Sequence, residues 1–432
     1  MIHGRAPVPL MIPGSPSSRK LRSLSVKREP VAISFAEFVA MMALMQSLVA
    51  LSIDAMLPAL TEIGQDLGAR EANDSQLIVS FLFLGLAFGQ GVYGPLSDTT
   101  GRKPAVYLGF GLFLTGSLFS LFATDLNVML GGRFLQGLGL AATRCVIVAI
   151  VRDQYEGPAM ARVMSFVMTI FIFVPAIAPT LGQGILLIAH WRAIFAALLV
   201  CGLLTLAWFA LRLPETLSVE RRIPFSIARI KSAVIEVCSH RVSLGYTISL
   251  GLISSAFLGY LSSAQQIFQK QYKLGTMFPL YFAILALCIG SASFVNGRLV
   301  MRFGMQKLSR WSKRFSTVIS LLFFVYVLSR GGQPPLWTMM GYMMIILFCF
   351  GIMYGNLNAM AMEPLGHIAG IGAAVMGALS TLISVPCGIL IGHSYNGTVI
   401  PVISGFMLSG VLIVVVMHWV ESAPTQATEE TA

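Results

Sequence analysis

Six polar side chains interrupt two long apolar runs: Glu37, Gln46 and Asp54 in the first, and Arg133, Gln136 and Arg144 in the fourth. Charge at depth in hydrocarbon is costly and tends to be kept for ion paths and proton relays. The chemistry such groups offer is proton transfer. Desolvation favours a protonated carboxyl and a nearby guanidinium favours the carboxylate, so opposed influences let an acid gain and lose a proton near neutrality. With a rise of about 1.5 Å per residue, Asp54 lies about 6 Å from the outer end of run 1 and Arg133 about 9 Å from the outer end of run 4. The matching depths lead us to expect an Asp54–Arg133 pair. Glu37 and Arg144 match in the same way near the inner side. Arg133 and Arg144, eleven residues apart, share one helical face.

The elements that must carry these groups are membrane helices. The chain is 56% hydrophobic and 11% charged, with mean hydropathy +0.80, whereas a soluble domain carries roughly a quarter charged residues. Twelve apolar blocks are long enough to span about 30 Å of hydrocarbon: about 34–58, 75–96, 104–123, 127–150, 162–188, 192–212, 244–263, 277–296, 310–329, 335–356, 367–392 and 398–420. Alternating ten-residue strands are absent, which favours an all-α protein over a barrel.

The net charge of +11 does not point to nucleic acid, because the 29 Lys and Arg are spread by side rather than gathered on one surface. With the N-terminus inside, 22 of them face the cytoplasm, five (Arg70, Arg192, Lys270, Lys273 and Arg330) face outward, and two lie in span 4. This bias places both termini in the cytoplasm. Residues 1–32 read as a disordered basic tail, 33–213 as a six-helix bundle, 214–243 as a cytoplasmic linker with a short amphipathic helix, 244–420 as a second six-helix bundle, and 421–432 as a tail. The basic start followed by an apolar run is not a signal peptide, because the run is too long and no small-residue cleavage pattern follows Pro58. The six cysteines show no C-x-x-C spacing and read as packing residues, and no metal site is expected.

A turn repeats at half-chain spacing. Gly94 and Gly101 recur as Gly297 and Gly304, 203 residues on, each pair in a basic turn between apolar spans. Two copies of one membrane unit is a common plan for secondary transporters.

The segment Gly94-Pro95-Leu96-Ser97-Asp98-Thr99-Thr100-Gly101-Arg102-Lys103 resembles the loop 2–3 motif of the major facilitator superfamily. Ile53-Asp54-Ala55-Met56-Leu57-Pro58-Ala59-Leu60 is similar to the helix 1 signature of its bacterial Bcr/CflA-type drug exporters. Arg133-Phe134-Leu135-Gln136-Gly137-Leu138-Gly139 resembles their helix 4 motif, and Ala178-Pro179-Thr180-Leu181-Gly182-Gln183-Gly184 resembles the helix 5 antiporter motif with Ala178 and Gln183 at two glycine positions. Leu213-Pro214-Glu215-Thr216 and the run from Glu363 to Gly370 look like two further family segments. The resemblance covers roughly residues 33–420.

It implies two six-helix bundles rocking about a central site. It also implies a gate at Asp98, with Arg152 and Arg162 as its partners by position, and proton coupling through Arg133. Thr99 stands where the motif has a basic residue, which removes one salt-bridge arm, and Met301 stands at the second copy's acid position. Pro175 and Pro179 are expected to bend helix 5 near Gly182.

Between residues 244 and 356 no intramembrane acid or base is evident, while Met and aromatic residues are frequent. A cavity drawing on Gln46, Arg144, Tyr260, Met353 and Asn356 would be soft and apolar, suited to varied lipophilic ligands. The acid of span 1 favours neutral or cationic ones. The expectation is a monomeric antiporter of the bacterial inner membrane, driven by the proton motive force without a cofactor and exporting drug-like molecules. A proton symporter importing a nutrient is the alternative. No convergent nucleophile, acid or metal constellation suggests an enzyme.

Overall fold

The computed structural model describes residues 33–71 and 73–422, and among them every regular element is helical. Residues 1–32 and all but the first two residues of the expected C-terminal tail lie outside this range. In the first half α1 (Phe35–Asp54) turns through Leu57–Ala59 into the short α2 (Leu60–Asp66). There follow α3 (Leu77–Thr100), α4 (Arg102–Leu121), α5 (Leu126–Gln154), α6 (Gly157–Leu186) and α7 (Arg192–Arg212). The linker helix is α8 (Ile227–Ser239). The second half holds α9 (Arg241–Gln265), α10 (Phe278–Phe303), α11 (Met305–Ser329), α12 (Leu336–Met362), α13 (Ala369–His393) and α14 (Ile400–Glu421). Twelve spans, all of these helices except α8 (α2 continues the span that α1 begins), are long and apolar enough to cross a membrane. The long helices alternate in direction through short connections, so both described ends fall on one face, here the terminal face.

Local chemistry sets the helix ends. Asp125 caps α5 by accepting the Asn127 and Val128 N–H groups at 2.9 and 3.1 Å, which relieves two of the donors a helix start leaves free. At the other extreme α3 and α10 run on to Thr100 and Phe303, past the apolar blocks that end near 96 and 296, and α6 and α11 begin at Gly157 and Met305 rather than near 162 and 310. Hydropathy falls where polar turns emerge from hydrocarbon, but helical hydrogen bonding continues. It stops at Gly101 (φ 107°) and Gly304 (φ 79°), where only glycine turns without strain.

Side chains then sort against lipid rather than water. On α11 the hydroxyls of Ser309, Ser312, Thr317 and Ser320 face the bundle and are buried, while Trp311, Phe315, Leu322 and Val325 are exposed. Helices meet at small residues, as lipid-embedded bundles require. A methyl group on Gly137 of α5 would strike the Leu82 carbonyl of α3. The two halves touch along α3 against α13 and α6 against α10. The linker helix buries Ala233 and Val237 in an apolar cluster shared with Val375 and Met376 of α13, and leaves Ile227 and Ile235 exposed.

Candidate functional site

Asp54 closes α1 and is 4% exposed. Arg133 lies fully buried at the expected level, yet the two do not pair. The Arg133 guanidinium donates to the Ser52 carbonyl at 2.7 Å, the Ile78 carbonyl at 3.2 Å and Gln136 Oε1 at 2.6 Å. Gln136 in turn donates to the Ser117 hydroxyl at 2.8 Å. The physical reason is local: the last turn of a helix carries unpaired carbonyls and partial negative charge, which attract a cation. Arg133 takes the backbone end of α1 instead of its carboxylate. Among the described residues the Asp54 carboxyl then has no hydrogen-bond or ion-pair partner. Tyr260 of α9, from the other half, lies within electrostatic reach of Asp54, and its hydroxyl is also unpartnered among the described residues.

The expected Glu37–Arg144 pair is replaced as well. Both Glu37 oxygens accept from Arg212 of α7, at 2.6 and 2.9 Å, and Trp208 donates at 3.3 Å. Arg144 reaches across the halves to donate to the Tyr354 hydroxyl at 3.1 Å. Depth fixed the height of these groups but not the direction in which they point. Of the other candidate cavity residues, Gln46 and Met353 are buried. Asn356 exchanges hydrogen bonds of 2.9 and 3.0 Å with Asn296 inside the second half. Gly182 abuts the Ala55 carbonyl, so α6 packs on the end of α1, and α6 runs helically through both Pro175 and Pro179.

The gate turn at the terminal face is a buried ionic net. Arg102, 2% exposed, donates to Asp98 Oδ1 at 2.6 Å, Asp153 Oδ2 at 2.8 Å and Ser97 Oγ at 2.9 Å. Glu215 accepts the backbone N–H groups of Arg102 and Lys103 at 2.9 and 3.0 Å, an anion at the positive start of α4. Lys103 donates to the Ala210 carbonyl at 3.0 Å. The linker is stitched on by Ile223 N–H to the Asp98 carbonyl at 2.9 Å and by the Thr99 hydroxyl to the Ile223 carbonyl at 2.9 Å. Asp98 therefore pairs with Arg102 rather than with Arg152 or Arg162. Arg162 lies over the Phe35 ring at 5.2 Å, and Arg152 approaches Gly370. Asp153 of α5, next to Arg152, is the partner of Arg102 that depth and spacing missed. Glu215 had a signal, an acid just beyond a helix-ending proline.

One further group corrects the reading of the second half. Lys313 of α11, counted as a loop residue, is 3% exposed and lines a cavity of about 30 Å³ with Ser316, Thr317, Ser320, Met353 and Ser409. The hydroxyl protons of Ser316 and Thr317 go to the Lys313 carbonyl, at 3.0 and 2.9 Å.

At the face opposite the termini the halves are joined by neutral groups. Thr61 and Gln265 exchange hydrogen bonds of 2.9 and 2.7 Å. Gln76 donates to Gln266, and Gln266 donates to Asn73 at 3.1 Å. Asn73 donates to the His393 and Tyr395 carbonyls at 2.8 Å each. Gln266 opens a π-helical turn, Gln266–Gln271, of the kind that recurs at functional sites. Burial pushes the phenols of Tyr272 and Tyr395 up, so both stay donors at neutral pH.

Comparison with known proteins bears on this arrangement. The sequence profile of the Major Facilitator Superfamily matches residues 42–390. The chain is 32% identical to the uncharacterized MFS-type transporter YdgK of Bacillus subtilis, over 79% of this chain and 85% of that one. It is 25% identical to the bicyclomycin resistance protein homolog of Haemophilus influenzae, over 88% and 95%. The fold matches the xylose transporter XylE from E. coli in a partially occluded inward-open conformation, with TM-score 0.69 at 14% identity, covering 92% of this chain and 99% of that one. A repeated glycine turn, twelve membrane helices in two halves and a matching profile lead to one conclusion: this chain belongs to the Major Facilitator Superfamily, and it is a multi-pass membrane transporter rather than an enzyme.

Proposed function

We propose that this transporter exports small amphipathic, drug-like molecules in exchange for protons, with Asp54 as the coupling acid. The observation that carries this reading is a buried Asp54 carboxyl with no cationic partner, while Arg133 is committed to backbone and amide oxygens. A carboxylate buried there would lack a counter-charge, which is costly, so we assign the proton-bearing acid to this state. Opening of the face opposite the termini lets the acid take a proton from outside. Closure buries it, and the proton leaves on the terminal side, where a neutral or cationic ligand replaces it. Arg133 acts as a positioning residue that fixes the end of α1.

The basic residues of the terminal face support a cytoplasmic placement of both termini in a bacterial inner membrane. The drug-resistance name of the Haemophilus relative supports efflux. The proton gradient serves as the energy source, no cofactor is assigned, and a monomer suffices because both halves lie in one chain.

Inverted membrane vesicles acidified inside, loaded from outside with ethidium, test the proposal. Wild-type protein accumulates the dye and Asp54→Asn, inserted at equal level, does not. Normal accumulation by Asp54→Asn rejects the coupling role. Uptake only in right-side-out vesicles, driven by an inward proton gradient, would establish the symporter reading instead.

A further inference from the structure

At the face opposite the termini Glu71 and Asp74, from the first half, meet His393, from the end of α13 in the second. One carboxylate oxygen of each acid and one imidazole nitrogen lie within 4.8 Å of one another, with His393 Nε2 at 3.9 Å from Glu71 Oε2. One imidazole and two carboxylates are a donor set that suits zinc-class ions, whereas magnesium and calcium prefer oxygen alone. Three protein ligands and a water complete a tetrahedral shell. Donors in such a shell sit roughly 3.3 Å apart, from bonds of about 2.0–2.2 Å, so these surface side chains need to draw in by at most about 1.5 Å.

A second, independent observation fixes where and when this donor set exists. Asn73 lies between the two acids in sequence and donates to the carbonyls of His393 itself and of Tyr395, at 2.8 Å each. The backbone carrying the acids is thereby bolted to the backbone carrying the imidazole. Asp74 is held in turn by accepting the Glu71 N–H at 2.9 Å. These bonds cross between the two halves, so they and the donor set last only while this face is shut. The cluster of His190 with Glu62 and Asp66 differs in that it lies wholly in the first half.

We propose that Glu71, Asp74 and His393 form a zinc-class metal site that exists only in the state closed on this face, so that the ion holds the transporter shut from that side. The site uses none of the groups assigned to proton coupling, and it stands whichever way the transporter moves its substrate.

The test uses full-length protein in lipid nanodiscs and zinc chloride alone, with magnesium chloride as control. Competition with a fluorescent zinc chelator gives affinity, and hydrogen exchange of segments 73–80 and 262–272 reports closure. The expected result is one site whose affinity falls at least about tenfold in His393→Ala and in Asp74→Asn and is kept in His190→Ala. Exchange in both segments slows on zinc addition in the wild type and does not respond in His393→Ala. His393 and His190 are exposed and Asp74 is partly so, and an unchanged melting temperature without zinc confirms the fold of each variant. Zinc affinity indifferent to His393→Ala, affinity lost only in His190→Ala, or exchange that quickens on zinc addition would each overturn the proposal.

Discussion

At Gly101 the chain reverses beneath a net of carboxylates and guanidinium groups, whereas at Gly304, 203 residues on, the same reversal lies open. Both glycines end a long helix with positive φ, 107° and 79°. At the first, a methyl group would meet Glu215 at 2.7 Å and Arg222 at 3.1 Å, and at the second it would meet nothing within 4 Å. Asp98 and Arg102 of the first turn correspond to Met301 and Met305 of the second, and Met301 is 87% exposed. The backbone device has been kept in both copies because only one residue type makes that turn cheaply. The ionic chemistry exists in one copy alone. That copy is the one the linker is stitched to, through Ile223 and Thr99, while the linker's helix docks on α13 of the other half. The first turn is thus anchored to a segment that bridges both halves.

The largest expected contrast comes from removing the central cation. Arg102→Ala strands the buried Asp153 carboxylate, and breaking a buried pair in this way costs about 3–5 kcal/mol. Arg302→Ala, in the second turn, changes stability by about 0.5 kcal/mol or less. Thermal unfolding of the purified proteins in one detergent checks this, and equal losses would erase the distinction between the turns. Next in size is the glycine pair. Gly304→Ala bears only backbone strain of about 1–3 kcal/mol, and Gly101→Ala bears that strain plus displacement of Glu215, so its melting temperature falls further. Glu215→Gln sharpens the comparison: it keeps the shape and loses the charge at the start of α4, worth about 0.3–1 kcal/mol. Asp98→Asn should be smallest in stability, because Asp98 is partly exposed and Arg102 keeps its bond to Asp153.

Much of the fold was legible in the sequence, for a definite reason. Apolar blocks of about twenty residues report hydrocarbon thickness directly, and paired glycines report a turn. Heights of side chains were legible too, since rise per residue is constant. Azimuth was not. Asp54 and Arg133 share a level, yet Arg133 turns to the Ser52 carbonyl, and nothing in residue type marks a backbone acceptor. Lys313 was hidden in another way. It stands among Lys307, Arg310 and Arg314, a basic run that reads as a loop, but α11 begins at Met305 and turns Lys313 inward with its hydroxyl stripe. Glu71 and His393 are remote in sequence, and only the closure held by Asn73 brings them together.

The central claim is that a ligand and a proton exchange at Asp54. It is tested most directly by recording the pH of a weakly buffered solution of the purified transporter as tetraphenylphosphonium is added, with binding followed in parallel. The account predicts that the wild type releases protons as it binds the cation, and that Asp54→Asn binds it with no release. Equal proton release from both proteins, or binding by the wild type without any release, would contradict it.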